Sequence, residues 1–131
     1  MRIFTLLKKA FTKLGLISDY VVEQGTSGIW TYRKWNSGEI KLIGHEQFVS
    51  GTWAGGSVLY YGVYRYVSLP SIVKTAEFVS FSPESAGGGV IMPGLQQCTD
   101  DGRVYVYYLR AYGGNGSVTI NHSIYVIGTW K

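Results

Sequence analysis

The sequence contains few of the residues on which catalysis, metal binding and covalent cross-linking depend. Among its 131 residues there are one cysteine, two histidines and eight carboxylates. A single thiol, Cys98, can form neither an intramolecular disulfide nor a multi-cysteine zinc site, so packing has to hold the fold together. We interpret Cys98 as a small buried hydrophobe in a protein that folds in a reducing cytoplasm.

Long apolar runs are lacking as well. No uninterrupted stretch approaches the ~20 residues that cross a bilayer. Lys8, Lys9 and Lys13 interrupt the segment that would form the apolar centre of a secretory signal. We therefore expect neither membrane insertion nor a signal peptide.

The few titratable residues do not form a recognisable catalytic set. Asp100 and Asp101 are neighbours in a predicted turn, where aspartate bonds to its own backbone, whereas glycosidases place two carboxylates across a cleft. His45-Glu46 and His122 lack the spacing of a metal site. The sequence predicts no enzyme, no metal and no cofactor, and a small glycan-cleaving enzyme is kept only as a minor alternative.

Basic residues are modestly in excess, with a net charge of +4. Arg33 and Lys34 stand among aromatic residues, which is the closest approach to a nucleic-acid motif. On a strand these two side chains point to opposite faces, so they do not form one basic stripe. We expect no nucleic-acid partner.

What the chain does have is glycine (18 residues), tyrosine (11) and tryptophan (4), while charged residues make up only 15%. Aromatic side chains suit pleated faces and glycine suits tight turns, so this mixture is typical of a β-rich chain. The length fits one domain with its own core. The low charge is compatible with an obligate oligomer and equally with a compact all-β monomer.

Residues 1–19 differ from the rest and are predicted to form a helical oligomerisation segment. Apolar residues recur there at alternating spacings of four and three, namely Ile3, Leu7, Ala10, Leu14 and Ile17. Leucine at one heptad position and mostly isoleucine at the other favours trimers or tetramers over dimers. A helix packed on its own β domain and a basic helix on a membrane surface are the other interpretations.

Residues 20–131 are predicted to form the β domain. Ile29–Trp35 and Glu39–Ile43 read as a hairpin around the three-residue turn Asn36-Ser37-Gly38. No long helix follows residue 20, which argues against parallel βαβ units. The sequence therefore predicts an antiparallel β-sandwich of six to eight strands.

Glycine and proline set the other predicted strand ends. The stretch from Gly44 to Gly51 is expected to link two strands rather than to form one. Ser82-Pro83 is expected to end the strand that begins at Ile72, and Pro93-Gly94 to break the strand that begins at Val90, because proline cannot donate to a strand ladder.

The last strand has the cleanest alternation in the chain. From Val118 to Trp130 every second residue falls on one apolar face, and His122 is among them. Such alternation predicts one buried face. We interpret His122 as a core or subunit-interface histidine rather than a ligand, with a threefold cluster around a trimer axis as one possibility that would make assembly sensitive to pH.

Two resemblances extend this prediction. The string Tyr-Val-Val-Glu-Gln-Gly-Thr-Ser-Gly-Ile-Trp-Thr-Tyr-Arg-Lys-Trp-Asn-Ser-Gly, residues 20–38, resembles the opening of a C-terminal domain in tail and minor structural proteins of phages and prophages of Gram-positive bacteria. After the turn, Glu39 to Leu42 departs from the acidic, Cys and Trp residues usual in that family. Val63 to Val73, Arg103 to Tyr112 and Ser123 to Lys131 are similar to strands of the H-type lectin fold, which implies a six-stranded trimeric sandwich.

These resemblances imply a receptor-binding domain of a phage tail. Such a domain is made in the bacterial cytoplasm and acts outside the cell as part of the virion. Its expected partners are two further copies of the chain, other tail or baseplate proteins and a glycan on the host surface. A purely structural module that trimerises a fibre or baseplate protein and binds no ligand is the alternative.

A sugar site needs aromatic faces together with a few fixed polar groups. The chain has aromatic residues beyond the needs of a core, and some lie near polar residues in turns. The candidate ligand-binding residues are Trp53, Asp100, Asp101, Arg103, Tyr112 and Asn115. Three weak sites on one rigid trimer would attach far more tightly than a single site.

Overall fold

The structure, a computed structural model, describes residues 2–13, 19–85 and 89–131. Within these ranges it has one helix and nine strands, one more strand than the upper end of the prediction. In chain order they are α1 (Arg2–Lys13), β1 (Val21–Ser27), β2 (Trp30–Trp35), β3 (Glu39–Val49), β4 (Ala54–Gly56), β5 (Leu59–Ser68), β6 (Thr75–Ser85), β7 (Val90–Cys98), β8 (Arg103–Ala111) and β9 (Thr119–Thr129).

The strands form two antiparallel sheets, which confirms the prediction of an all-β sandwich. The five-stranded sheet has the order β1-β2-β3-β9-β6, and the four-stranded sheet has the order β4-β5-β8-β7. The predicted hairpin joins β2 to β3, and its turn is closed by the Gly38 amide, which donates to the Trp35 carbonyl at 3.0 Å. The longest pairing joins β3 and β9, from Glu39 opposite Thr129 to Val49 opposite Thr119.

The core lies between the inner faces of the two sheets. β9 contributes Ile120, Ile124 and Val126, all fully buried, and β8 contributes Val104 and Val106 from the opposite sheet. The alternation predicted for the last strand is confirmed, since its even-numbered residues are buried from Ile120 to Gly128. Burial of each such side chain stabilises the fold by about 1.5–3 kcal/mol.

Three predicted strand ends were wrong. β3 continues to Val49 through the expected link, because β9 pairs with it over its whole length and Phe48 packs against the core. β6 continues through Pro83, and β7 continues through Pro93 with a bulge. Both are edge strands of their sheets, so a proline can turn its missing donor away from the neighbouring strand.

The helix α1 is tied to the sandwich through Tyr20. The Tyr20 hydroxyl donates to the Thr5 carbonyl at 3.4 Å, and Lys8 Nζ lies 5.8 Å from the centre of the Tyr20 ring. Two predicted heptad residues, Ile3 and Leu7, are 66% and 46% exposed, so these side chains do not pack on the sandwich. Leu14, Ile17 and the side chain of Ala10 lie outside the described part of the chain.

Candidate functional site

A cleft of about 690 Å³ opens at one end of the sandwich. One wall is the segment 68–76, which leads from β5 into β6, and the other is the segment 98–103, which leads from β7 into β8. The Leu69 amide donates to the Gly102 carbonyl at 2.9 Å and ties the two walls together. Asp100, Asp101 and Arg103, three of the six predicted site residues, line this cleft.

The turn from β7 to β8 is held by its own hydrogen bonds. The Thr99 amide donates to the Arg103 carbonyl at 2.9 Å, and the Arg103 amide donates to the Thr99 hydroxyl at 3.2 Å. Gly102 adopts φ 79°, a conformation that favours glycine. The sequence Asp-Asp-Gly therefore forms the predicted turn and presents Asp101 at the mouth of the cleft.

Asp101 and Arg103 form an ion pair on the rim of the cleft. Arg103 Nε donates to Asp101 Oδ2 at 2.8 Å, and a second guanidinium nitrogen lies 2.6 Å from the same oxygen. The hydrogen bond from Arg103, followed by the one from the Thr99 hydroxyl, lowers the pKa of Asp101 to about 2. Asp101 is therefore ionised at neutral pH, whereas a glycosidase acid has a raised pKa.

An aromatic ring completes this rim. The Arg103 guanidinium carbon lies 4.2 Å from the centre of the Tyr66 ring, a cation–π geometry. The cleft therefore combines a charged donor, a carboxylate acceptor and a nearby aromatic ring. Cys98 also lines the cleft, and burial raises the pKa of its thiol, so the thiol is not activated.

The other predicted site residues do not join this cleft. Tyr112 is nine residues from Arg103 along β8 and its extension, ~30 Å away at the rise of a strand. Asn115 is beside Trp53, whose amide donates to the Asn115 carbonyl at 2.9 Å. Trp53 is only 2% exposed and lies in the core, so little of its predicted ligand-binding ring is open to solvent.

Four tyrosines near the cleft were not singled out together from the sequence. Tyr64 and Tyr66 on β5 pair directly with Tyr107 and Tyr105 on β8. All four point to the outer face of the four-stranded sheet, because Val67 and Val106, of the opposite parity, are buried. The signal in the sequence was the repeated Tyr-x-Tyr spacing, which places both rings of a strand on one face.

His122 is enclosed within a single copy of the chain. Its Nε2 lies 2.9 Å from Glu46 Oε1, and its Nδ1 lies 2.8 Å from the Tyr108 hydroxyl. Its side chain has no exposed surface. Of the two predicted alternatives, this position fits the core histidine, and a role of His122 at an oligomer interface stays a prediction.

Glu46 and Arg65 link this histidine to the four-stranded sheet. Arg65 donates two hydrogen bonds to the Glu46 carboxylate, at 2.9 and 2.7 Å. Burial opposes ionisation of Glu46, but the hydrogen bonds from Arg65 and His122 outweigh it and lower the pKa of Glu46. Burial also lowers the pKa of His122, so the contact between His122 and Glu46 is a hydrogen bond from a neutral imidazole. Sequence reasoning missed this network because its members lie far apart in the chain.

Two further observations concern membranes and metals. Within residues 2–13, 19–85 and 89–131, no helix is long and apolar enough to cross a bilayer. In the same ranges, no three His, Cys, Asp or Glu side chains lie close enough together to hold a metal ion.

Comparison of the chain with protein-family profiles, curated proteins and solved structures gave no match.

Proposed function

We propose that the protein is a non-catalytic, glycan-binding receptor domain of a phage tail. The observation that carries this proposal is the position of the Asp101–Arg103 ion pair beside the Tyr66 ring, at the rim of a cleft. Fixed polar groups next to an aromatic face are what a sugar site requires. The phage context rests on the resemblance of residues 20–38.

Assembly as a homotrimer belongs to the same proposal. The apolar side chains Ile3, Leu6 and Leu7 of α1 are 66%, 64% and 46% exposed, and heptad spacing suits a bundle of more than two helices. Three clefts on one trimer would raise the avidity for a repetitive cell surface by 10²–10⁴-fold, on the order expected for linked sites.

The binding proposal is tested with a glycan array that carries bacterial cell-wall sugars. The unmodified protein should bind, and the double variant Asp101→Ala/Arg103→Ala should lose binding without a change in its circular dichroism. The double variant Glu39→Ala/Lys41→Ala is the matched control, because it removes another ion pair of similar exposure, of 3.5 Å, from β3. Loss of glycan binding in both variants, or in neither, would argue against this cleft as the glycan-binding site.

A structural module without a ligand is the second candidate, and the exposed apolar residues of α1 favour it as much as they favour a receptor-binding trimer. The two candidates differ in the array. A trimer that binds no glycan would identify the structural module, and the encoding neighbourhood, with tail, holin or lysin genes beside it, would test the phage context of both.

A further inference from the structure

The outer face of the four-stranded sheet carries a cluster of tyrosine rings next to the cleft. We use the name tyrosine face for Tyr64, Tyr66, Tyr105 and Tyr107. The ring centres of Tyr66 and Tyr105 are 4.7 Å apart, and Tyr64 lies 6.0 Å from Tyr66 and 6.3 Å from Tyr105. Tyr64 and Tyr66 are 59% and 41% exposed, so ring surface is open to a ligand.

The tyrosine face is continuous with the cleft. Arg103 lines the cleft and also lies against the Tyr66 ring, and Ser68, two residues after Tyr66 on the same strand, lines the cleft as well. A ligand that leaves the cleft past Arg103 would therefore meet Tyr66 and Tyr105 first and Tyr64 next, along the direction of β5 and β8.

The strands that carry this face contain three charged residues, and none adds a free charge to the outer face. β5 includes Arg65, β8 includes Arg103 and Arg110, and β7 has no charged residue. Arg65 is paired with Glu46, and Arg103 is paired with Asp101. Arg110 is buried and donates to the carbonyls of Gly116 and Gly113 at 2.9 and 3.0 Å. The face is therefore aromatic and hydroxylated, since Arg65 and Arg103 are paired with carboxylates and Arg110 is buried on the opposite side of its strand.

We infer that the tyrosine face is a second subsite and that the ligand is a linear, uncharged glycan that runs from the cleft across Tyr66 and Tyr105 to Tyr64. This inference rests on the proposed function. A single terminal sugar would fill the cleft alone and would leave Tyr64 without a role. A nucleic acid needs cations for its phosphates, which this face does not offer. The test below also distinguishes a glycan on this face from a second copy of the chain or another protein bound there.

The test compares ligands of two lengths. Linear neutral hexasaccharides (maltohexaose, cellohexaose and chitohexaose, together with the strongest linear hit on the array) are each measured by calorimetry beside their disaccharides. We expect a hexasaccharide to bind more tightly than its disaccharide. Tyr64→Ala should weaken hexasaccharide binding about five- to tenfold and leave the disaccharide unchanged, since a stacked ring contributes about 1 kcal/mol. Tyr64→Phe keeps the ring and should keep most of the affinity.

Phe78→Ala is the matched control, because Phe78 is an aromatic residue of similar exposure (50%) on the outer face of the other sheet, and its removal should change neither affinity. Three results would overturn the inference: equal affinity for both lengths, an unchanged hexasaccharide affinity in Tyr64→Ala, or array hits confined to anionic glycans. If Asp101→Ala/Arg103→Ala abolishes binding while Tyr64→Ala does not alter it, the glycan site stands and only its extension fails. A change of oligomeric state in Tyr64→Ala would instead mark the face as a protein interface.

Discussion

The imidazole of His122 lies 2.9 Å from the Glu46 carboxylate, and the two residues are direct partners in the pairing of β9 with β3. With Nε2 donating to the carboxylate, Nδ1 accepts from the Tyr108 hydroxyl at 2.8 Å. Tyr108 belongs to the other sheet, as does Arg65, which holds the far side of the carboxylate. This polar chain joins the two sheets through an otherwise largely apolar core.

Removal of the imidazole should destabilise the protein strongly. In His122→Ala the Glu46 carboxylate and the Tyr108 hydroxyl each lose a partner while they stay largely buried, so we expect a loss of about 2–4 kcal/mol in the free energy of unfolding. Urea denaturation at pH 8 measures this loss. His45→Ala is the control, because His45 is exposed and bonds only to Ser123 among the described side chains. His45→Ala should lower the free energy of unfolding by no more than about 0.5 kcal/mol. An equal loss in His45→Ala and His122→Ala would contradict this role of His122.

Acid should destabilise the fold from near pH 6.5 downward. Burial lowers the pKa of His122 below the ordinary 6.5, so the unfolded chain takes up a proton that the folded chain refuses. The contribution of His122 to the free energy of unfolding is fully present above pH 6.5 and is lost as the pH falls through the lowered pKa of His122. Glu46, whose pKa is also lowered, adds a second loss that begins near its ordinary 4.5.

The free energy of unfolding, measured by urea titration at pH 8, 6.5, 5.5, 4.5 and 3.5, tests the direction of both losses. His122→Gln should remove the decline that begins near pH 6.5 and leave the carboxylate decline in place, whereas His45→Gln should keep both. A protein that becomes more stable between pH 6.5 and 5.5 would show that His122 is charged in the folded state.

Gly128 should tolerate no side chain. It pairs with Ala76 on β6 and with Ile40 on β3, and an added Cβ would collide with the Thr75 carbonyl oxygen and lie 3.1 Å from the Ala76 Cα. Gly128→Ala has to displace β6 from β9 and should cost about 2 kcal/mol or more. Thermal unfolding measures this cost. Gly116→Ala, where no atom lies within 4 Å of the added methyl group, should be near neutral, and a neutral Gly128→Ala would place β6 further from β9.

The exposed apolar residues of α1 should control assembly. The double variant Ile3→Lys/Leu7→Lys places charge on two heptad positions, so we expect a trimer of the unmodified chain to become a monomer with the sandwich intact. Light scattering gives the mass, and circular dichroism reports the β structure. Val49→Lys, an exposed apolar position on the sandwich, should leave the trimer unchanged.

Two other outcomes would reassign the helix. A monomeric unmodified chain would remove the trimer from the proposal. If that chain also sediments with vesicles of anionic lipid, and Ile3→Lys/Leu7→Lys abolishes the sedimentation, α1 would be a membrane-surface helix.

Local patterns made several elements predictable. The alternation from Val118 to Trp130 predicted the buried face of β9, and the Asn36-Ser37-Gly38 turn predicted the hairpin of β2 and β3. In both cases the information lies within a few consecutive residues, because strand faces alternate with period two and tight turns need particular residues. The Asp-Asp-Gly turn was predictable for the same reason, and with it the place of Asp101 and Arg103 on one loop.

Positions that depend on neighbouring strands were not predictable in this way. Pro83 and Pro93 read as strand ends, but they lie within edge strands, and edge placement is a property of the whole sheet. Trp53 was predicted as a binding residue, but the tertiary structure buries it, and aromatic identity alone does not say whether a ring faces the core or the solvent.

The sequence alone determined that this chain folds as antiparallel strands around an apolar core, since composition and alternation act over short distances. The tertiary structure decided which side chains meet: Tyr64 and Tyr66 with Tyr107 and Tyr105 on one face, and Glu46 with Arg65, His122 and Tyr108 between the sheets. Such meetings depend on strand order and register, which arise when distant segments pair, and no local pattern records them.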